Sequence, residues 1–344
     1  MSMKEQNHHS PVSFMAPILA VLLVSCAVRC GTEATEPVKN HEPAVVGGSL
    51  RNTSTAAASC VDGARALAHI EKLVSFGARH AGTSGLEKAR GMIVDTLRGF
   101  GLEPVRRDFK AYTPHPDMKE VMMANITVDI PGPGKKWILI GGHFDGKIIE
   151  KGVFLGANDG GSSTGLLLEI ARCLKENPPA APVRIAFFDG EESLLKWTDS
   201  DSLYSSKRMA ADLLEKNEHK MFAAMVNIDM IGDKRLKIFR DTMSTRWVFH
   251  TLEQTAKRLG HEPLFAGPRA AIEDDHVPFM KIGIPAANLI DLRFGPGWTS
   301  NAYWHTDDDT VDKLSPDNMA AVGQIVLDSI PDLAKGVPSK VLLK

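Results

Sequence analysis

Six side chains able to bind a metal ion or move a proton stand where apolar runs give way to glycine or small polar residues: His143, Asp159, Glu191, Glu192, Asp229 and His305. Carboxylates mixed with imidazoles, with no cysteine among them, suit Zn²⁺ at about 2.0 to 2.2 Å, and such a set with an open position serves catalysis rather than structure. Glu191 and Glu192 are adjacent and close the run that ends at Asp189. Neighbouring side chains on a turn point different ways, so one carboxylate can hold metal while the other is left to transfer protons. The chemistry read from this set is metal-assisted acid–base catalysis.

For these residues to meet, the chain between them has to bring strand ends together. Helical apolar spacing over 64–76 and 86–98 precedes strand-like runs over 105–112, 121–130 and 137–142. Helices over 162–175, 203–215, 245–259 and 316–333 then alternate with strands over 183–189, 223–230 and 286–290. This alternation predicts an α/β fold, a three-layer α/β/α sandwich on a central mixed, mostly parallel sheet. In such sheets the carboxyl ends of the strands form the ligand crevice, where the six residues fall.

Composition narrows the classes. With 344 residues, 43% hydrophobic and 24% charged, the chain can bury a sizeable core. Its net charge of −2, without a basic stripe interleaved with aromatics, argues against a nucleic-acid partner. Residues 1–26 read as an export signal, because the apolar run 14–24 is too short to span a bilayer. The string Leu23-Val-Ser-Cys26 has the form of a lipobox, which would place a lipid anchor on Cys26. Residues 27–58 read as a flexible tether, and 59–344 as a single catalytic domain. The expected location is therefore the periplasm or cell envelope, as a lipoprotein, or otherwise outside the cell as a secreted protein. Beyond the tether only Cys60 and Cys173 remain, which allows at most one disulfide.

Two other motifs compete. Gly161-Ser-Ser-Thr-Gly165 matches a serine-hydrolase elbow, but a loop rather than a strand leads into it. Gly141 to Lys147 matches a phosphate loop, but Ile148 replaces the metal-binding hydroxyl and Asp145 would repel phosphate. Both readings are set aside.

His143-Phe-Asp145, Gly156-Ala-Asn-Asp159, Asp189-Gly-Glu-Glu192, Asn227-Ile-Asp229 and Trp304-His305, in this order, resemble the signature blocks of the zinc aminopeptidase and glutaminyl cyclase superfamily. The stretch from Glu191 to Lys207, with Trp197, is more similar to the glutaminyl cyclases, as are Ile272-Glu-Asp-Asp-His-Val-Pro-Phe279 and Tyr303-Trp-His-Thr306. The resemblance implies one Zn²⁺ held by Asp159, Glu192 and His305. It implies Glu191 as general acid and base, with Asp229 and Asp274 as a hydrogen-bonded acidic pair beside it. Trp197, Ile272 and Trp304 would line a small substrate pocket.

The implied substrates are peptide and protein amino termini. As a cyclase, the metal would polarise the γ-carbonyl of an amino-terminal glutamine while Glu191 moves a proton from the α-amine to departing ammonia, leaving pyroglutamate. The alternative is a zinc aminopeptidase, in which His143 and Asp229 hold a second zinc and Glu191 activates water. A non-catalytic peptide-binding lipoprotein is a third reading, and its mark would be a lost Glu191 or a lost ligand, neither of which is seen. A monomer is expected.

Three departures from the cyclase pattern stand out. Gly142 and Thr164 occupy positions where animal glutaminyl cyclases carry a disulfide. Asn158-Asp159-Gly160-Gly161 is closer to the aminopeptidases. The segment 291–302 is longer than expected before the final Trp-His and leaves the remaining pocket wall open.

Overall fold

The computed structural model describes residues 60–297 and 300–337. The export signal, the lipobox and the tether lie outside them. Six strands form one sheet: β1 (Val105–Tyr112), β2 (Glu120–Ile130), β3 (Trp137–His143), β4 (Val183–Phe188), β5 (Phe222–Asp229) and, last in the chain, β8 (Ala286–Ile290). Two-residue strands β6 (Arg240–Asp241) and β7 (Arg269–Ala270) pair separately. The main sheet runs in the order β1-β2-β4-β3-β5-β8. β1 with β2 and β2 with β4 are antiparallel, and the remaining pairs are parallel. This is the expected mixed, mostly parallel sheet.

Seven α-helices cover it: α1 (Gly63–Val74), α2 (Ser84–Gly99), α3 (Gly161–Glu176), α4 (Tyr204–Glu215), α5 (Arg246–Arg258), α6 (His276–Lys281) and α7 (Pro316–Lys335). Alternating residues of each central strand face opposite layers. Ile138 and Ile140 of β3 join the core beneath α1, α2, α3, α5 and α7, whereas Leu139 joins Met209 and Leu213 of α4 and Phe279 of α6. Burial on both faces explains why β3 and β5 read as continuous apolar runs. α1 turns the stripe Ala66, Ile70 and Leu73 inward, and Asp62 caps it by accepting from the Ala64 amide at 2.9 Å. The helix α6 was not legible in the sequence, because six residues containing Pro278 are too few to display a helical period. No helix among the described residues is long and apolar enough to cross a membrane.

Chain order supplies the crevice. From central β3 the chain passes through α3 to β4 on one side, then through α4 to β5 on the other. The crossovers part at the carboxyl ends of these three strands, the place where a parallel sheet opens to a ligand. One disulfide, Cys60–Cys173, ties the start of the described chain to α3 with Cα atoms 5.7 Å apart.

Candidate metal and acid–base site

His143 ends β3, Asp229 ends β5, and Glu191 and Glu192 follow β4. Asp159 stands in the loop before α3, and His305 in the connection between β8 and α7. All converge. His143 Nε2 lies 3.1 Å from Asp159 Oδ1 and 3.1 Å from Asp229 Oδ1. His305 Nε2 lies 3.3 Å from Asp159 Oδ2 and 3.1 Å from Glu192 Oε1. Two trios, His143-Asp159-Asp229 and Asp159-Glu192-His305, thus each gather ligand atoms within 4.8 Å, and Asp159 belongs to both.

The donor set fits zinc. Asp159 Oδ2 and both carboxylate oxygens of Glu192 are buried without a well-formed hydrogen bond, although His305 stands at ion-pair distance from Asp159 Oδ2 and Glu192 Oε1, and Lys147 from Glu192 Oε2. Buried oxygens left in this state are costly unless a cation meets them. Electrostatics point the same way. Burial pushes Asp229 up to about 7, with His143 opposing and the like charges of Asp274 and Asp159 adding to it. Burial would lower His305, yet Asp159 and Glu192 push it up to about 10. Burial also acts to raise Asp159, but the imidazoles of His143 and His305 beside it hold it below the usual carboxylate range. Protons borrowed by the histidines are doing in part what a divalent cation would do for this acidic cluster.

Glu191 differs from its neighbour. Its carboxylate faces a cavity of about 510 Å³, and its nearest ion-pair partner is His143 Nδ1 at 4.0 Å. Burial pushes it well above the carboxylate range; His143 opposes this, while Glu192, Asp274 and Asp275 add to it. The turn that leads from β4 into the two glutamates depends on Gly190, whose φ of 84° disfavours a side chain and where a Cβ would strike Met123.

The same cavity is lined by Trp197, Ile272, Trp304, Asp229 and Asp274. Trp304 stacks on His305, ring centroids 4.0 Å apart. Asp274 accepts from Asn288 Nδ2 at 2.7 Å, and Asn288 Oδ1 accepts from Asn227 Nδ2 at 3.1 Å. This relay follows from register, since Asn227 and Asn288 are partners on β5 and β8. Asp274 is thereby fixed, and its charge acts on both Asp229 and Glu191.

Several residues that position the site carried no role in the sequence reading. Asp145 accepts from the amides of Glu191 and Glu192, each at 3.2 Å, and stands 3.3 Å from His143 Nδ1. Asp309 accepts from the amides of Asn158 at 2.7 Å and Asp159 at 3.0 Å. Buried Arg79 donates to the carbonyls of Phe144, Leu155 and Gly156, backing the same loop. Asp201 accepts from the amides of Leu194, Leu195 and Lys196 and so shapes the loop that carries Trp197. The run Asp307-Asp-Asp309 beside His305 was a signal for Asp309, but only burial distinguishes the third aspartate from the exposed Asp308.

Structure also disposes of the rival motifs. Ser163, inside α3, donates to the carbonyls of His143 at 2.8 Å and Gly160 at 3.1 Å, so it is no strand-end nucleophile. Lys147 reaches Ser193 O at 2.9 Å and Glu192 Oε2 at 3.2 Å instead of a phosphate. At Gly142 a Cβ would meet Ile228 O at 2.5 Å, leaving no room for half a disulfide. Hydroxyls of Ser163 and Thr164 tie α3 to the His143 carbonyl in its place.

The sequence profile of peptidase family M28 matches residues 125–330. A glutaminyl-peptide cyclotransferase-like protein of Bos taurus is 28% identical over 280 residues, covering 72% of this chain and 70% of the relative. Among solved structures, an Acidobacteriales bacterium glutaminyl cyclase is 33% identical with a TM-score of 0.75, covering 80% of this chain and 95% of that one. A Zn-dependent exopeptidase from Parabacteroides distasonis shares the fold, with a TM-score of 0.70 at 24% identity over 79% of this chain and 98% of that one.

Proposed function

This chain belongs to peptidase family M28, and from that membership and the site geometry we propose that it is a zinc-dependent glutaminyl-peptide cyclotransferase, converting amino-terminal glutamine of peptides to pyroglutamate with release of ammonia. The observation that carries this reading is a Glu191 outside both ligand trios, beside buried oxygens of Asp159 and Glu192 that lack a well-formed hydrogen bond, in a cavity walled by Trp197, Ile272 and Trp304.

Asp159, Glu192 and His305 would hold the zinc, which supplies a Lewis acid for the glutamine γ-carbonyl. Glu191 accepts a proton from the α-amine as it attacks and delivers it to the nitrogen that leaves as ammonia, so atoms and charge balance without water. A raised affinity for protons suits a group that must take one up and give it back. Asp274, steadied by Asn288, and Asp229 hold the amine end in place and favour a proton shared among the acids. The walls of Trp197, Ile272 and Trp304 admit a neutral amide side chain and hold the amine near the amide carbon, where intramolecular orientation supplies about 7 to 11 kcal/mol. Exclusion of water by these walls favours cyclisation over hydrolysis.

The two ligand trios sharing Asp159 favour a second reading, an aminopeptidase with a further zinc on His143 and Asp229. One assay separates the two. With a Gln-initiated and a Leu-initiated dipeptide amide, a cyclase yields ammonia and a blocked terminus from the first alone. Free leucine from the second would overturn the cyclase reading.

Export belongs to the same proposal, with Cys26 as the lipid-bearing residue of a cell-envelope protein that is a monomer. The Cys60–Cys173 disulfide supports it, since such bonds persist in oxidising compartments. Globomycin-sensitive processing and palmitate labelling lost in Cys26→Ser would test the anchor.

A further inference from the structure

Glu273 precedes Asp274 on the cavity wall and stands at its mouth, half-buried. Its Oε2 accepts from Trp197 Nε1 at 3.3 Å. Among the described residues no Lys, Arg or His nitrogen lies within 4 Å of this carboxylate. The lysines lining the same cavity are differently placed. Lys147 is engaged by Ser193 and Glu192. Lys196 is exposed on a long stem, where water and salt screen it. Lys207, tied to the carbonyls of Asp199 and Ser202, acts on Glu273 only from beyond ion-pair distance. The mouth therefore holds one anion with no cation in contact with it.

We infer that Glu273 is a specificity-determining residue that selects peptides whose second residue is basic and rejects those whose second residue is acidic. The inference rests on the function proposed above, which seats the α-amine of the first residue near Glu191 and Asp274. The chain leaving that residue then passes the neighbour of Asp274. The indole bond holds the carboxylate in one place, so little ordering is lost when a cation meets it. At 4 Å a unit charge pair changes affinity about fivefold in bulk water. Attraction of one peptide and repulsion of the other multiply to about 25-fold.

The test measures kcat/KM of the zinc-loaded full chain on peptides beginning Gln-Arg, Gln-Ala and Gln-Glu, with ammonia and free glutamine both quantified. The ratio of Gln-Arg to Gln-Glu should be about 25 at low salt and shrink as ionic strength rises. Glu273→Gln, which keeps an oxygen for the indole, should bring the ratio close to one, and Glu273→Lys should reverse it. A reversal by charge is not produced by a merely structural role. A ratio near one in the unaltered protein, or a ratio that Glu273→Gln retains, overturns the inference. Free glutamine released with the charge ranking intact would overturn the cyclase reading and leave the role of Glu273 standing.

Discussion

The two halves of the cavity are built in opposite ways. On the metal side, buried groups fix the backbone at Asp159 and Glu192: Asp309 holds the amides before and at Asp159, Asp145 holds those of Glu191 and Glu192, and Arg79 holds the carbonyls beneath. On the substrate side, Trp197 and Trp304 remain 36% and 37% exposed, and the first hangs on a loop gripped at its base by Asp201. A second layer of hydrogen bonds preorganises ligands and tunes the metal, whereas loops at a mouth tolerate change. The division teaches that chemistry and selectivity are separable in this molecule.

The strongest way to break that comparison is Glu191→Gln. It should lower kcat by about 10²–10⁴-fold while zinc content, read by metal analysis, is unchanged. Loss of zinc in this variant would place Glu191 among the ligands. Replacing Cys60 and Cys173 by serine should cost about 3–5 kcal/mol of unfolding free energy in denaturant titration, since the bond closes a separation of 113 residues. Kinetic constants should hardly move, because the bond lies at the far end of α3 from Asp159.

Asp291, at the base of the segment leading to Trp304, gives a pH test. Burial and the repulsion of Asp233 push it up to about 6 against its hydrogen bonds from the Lys237 and Arg293 amides. The folded form thus binds a proton more tightly than the unfolded chain, whose group titrates near 3.8. Its contribution is fully present below about pH 4 and is lost as pH rises to about 6, by up to about 3 kcal/mol. Asp291→Asn should flatten that part of the stability curve, and an unaltered slope would refute the assignment. Asp309→Asn should weaken zinc binding about 10–100-fold in competition with a chelator. Trp197→Ala should raise KM about tenfold and leave zinc affinity alone; a weakened metal would show that the halves are not independent.

Much of this was legible along the chain. The strands announced themselves by continuous apolar runs, and the ligands by standing where those runs stop, so His143, Asp159, Glu192 and Asp229 could be placed in one crevice before any coordinates. The pocket residues Trp197, Ile272 and Trp304 followed from resemblance, since an aromatic in a loop carries no period that tells wall from core. Asp274, expected to pair with Asp229, accepts from Asn288, a partner visible only once β5 and β8 are in register.

By itself, then, the sequence determined the layers, the sheet, and the donor types that would gather at its carboxyl edge, because hydrophobic period and chain order are local properties. Tertiary structure alone decided which carboxylates carry backbone rather than chemistry. Asp309 grips amides 150 residues away and Asp145 grips those 46 and 47 residues on. It also decided that Cys60 meets Cys173, and that Glu273 stands at the mouth bonded to an indole. The work a polar side chain does depends on what burial denies it and who is left to bond it, and only the folded chain supplies those neighbours.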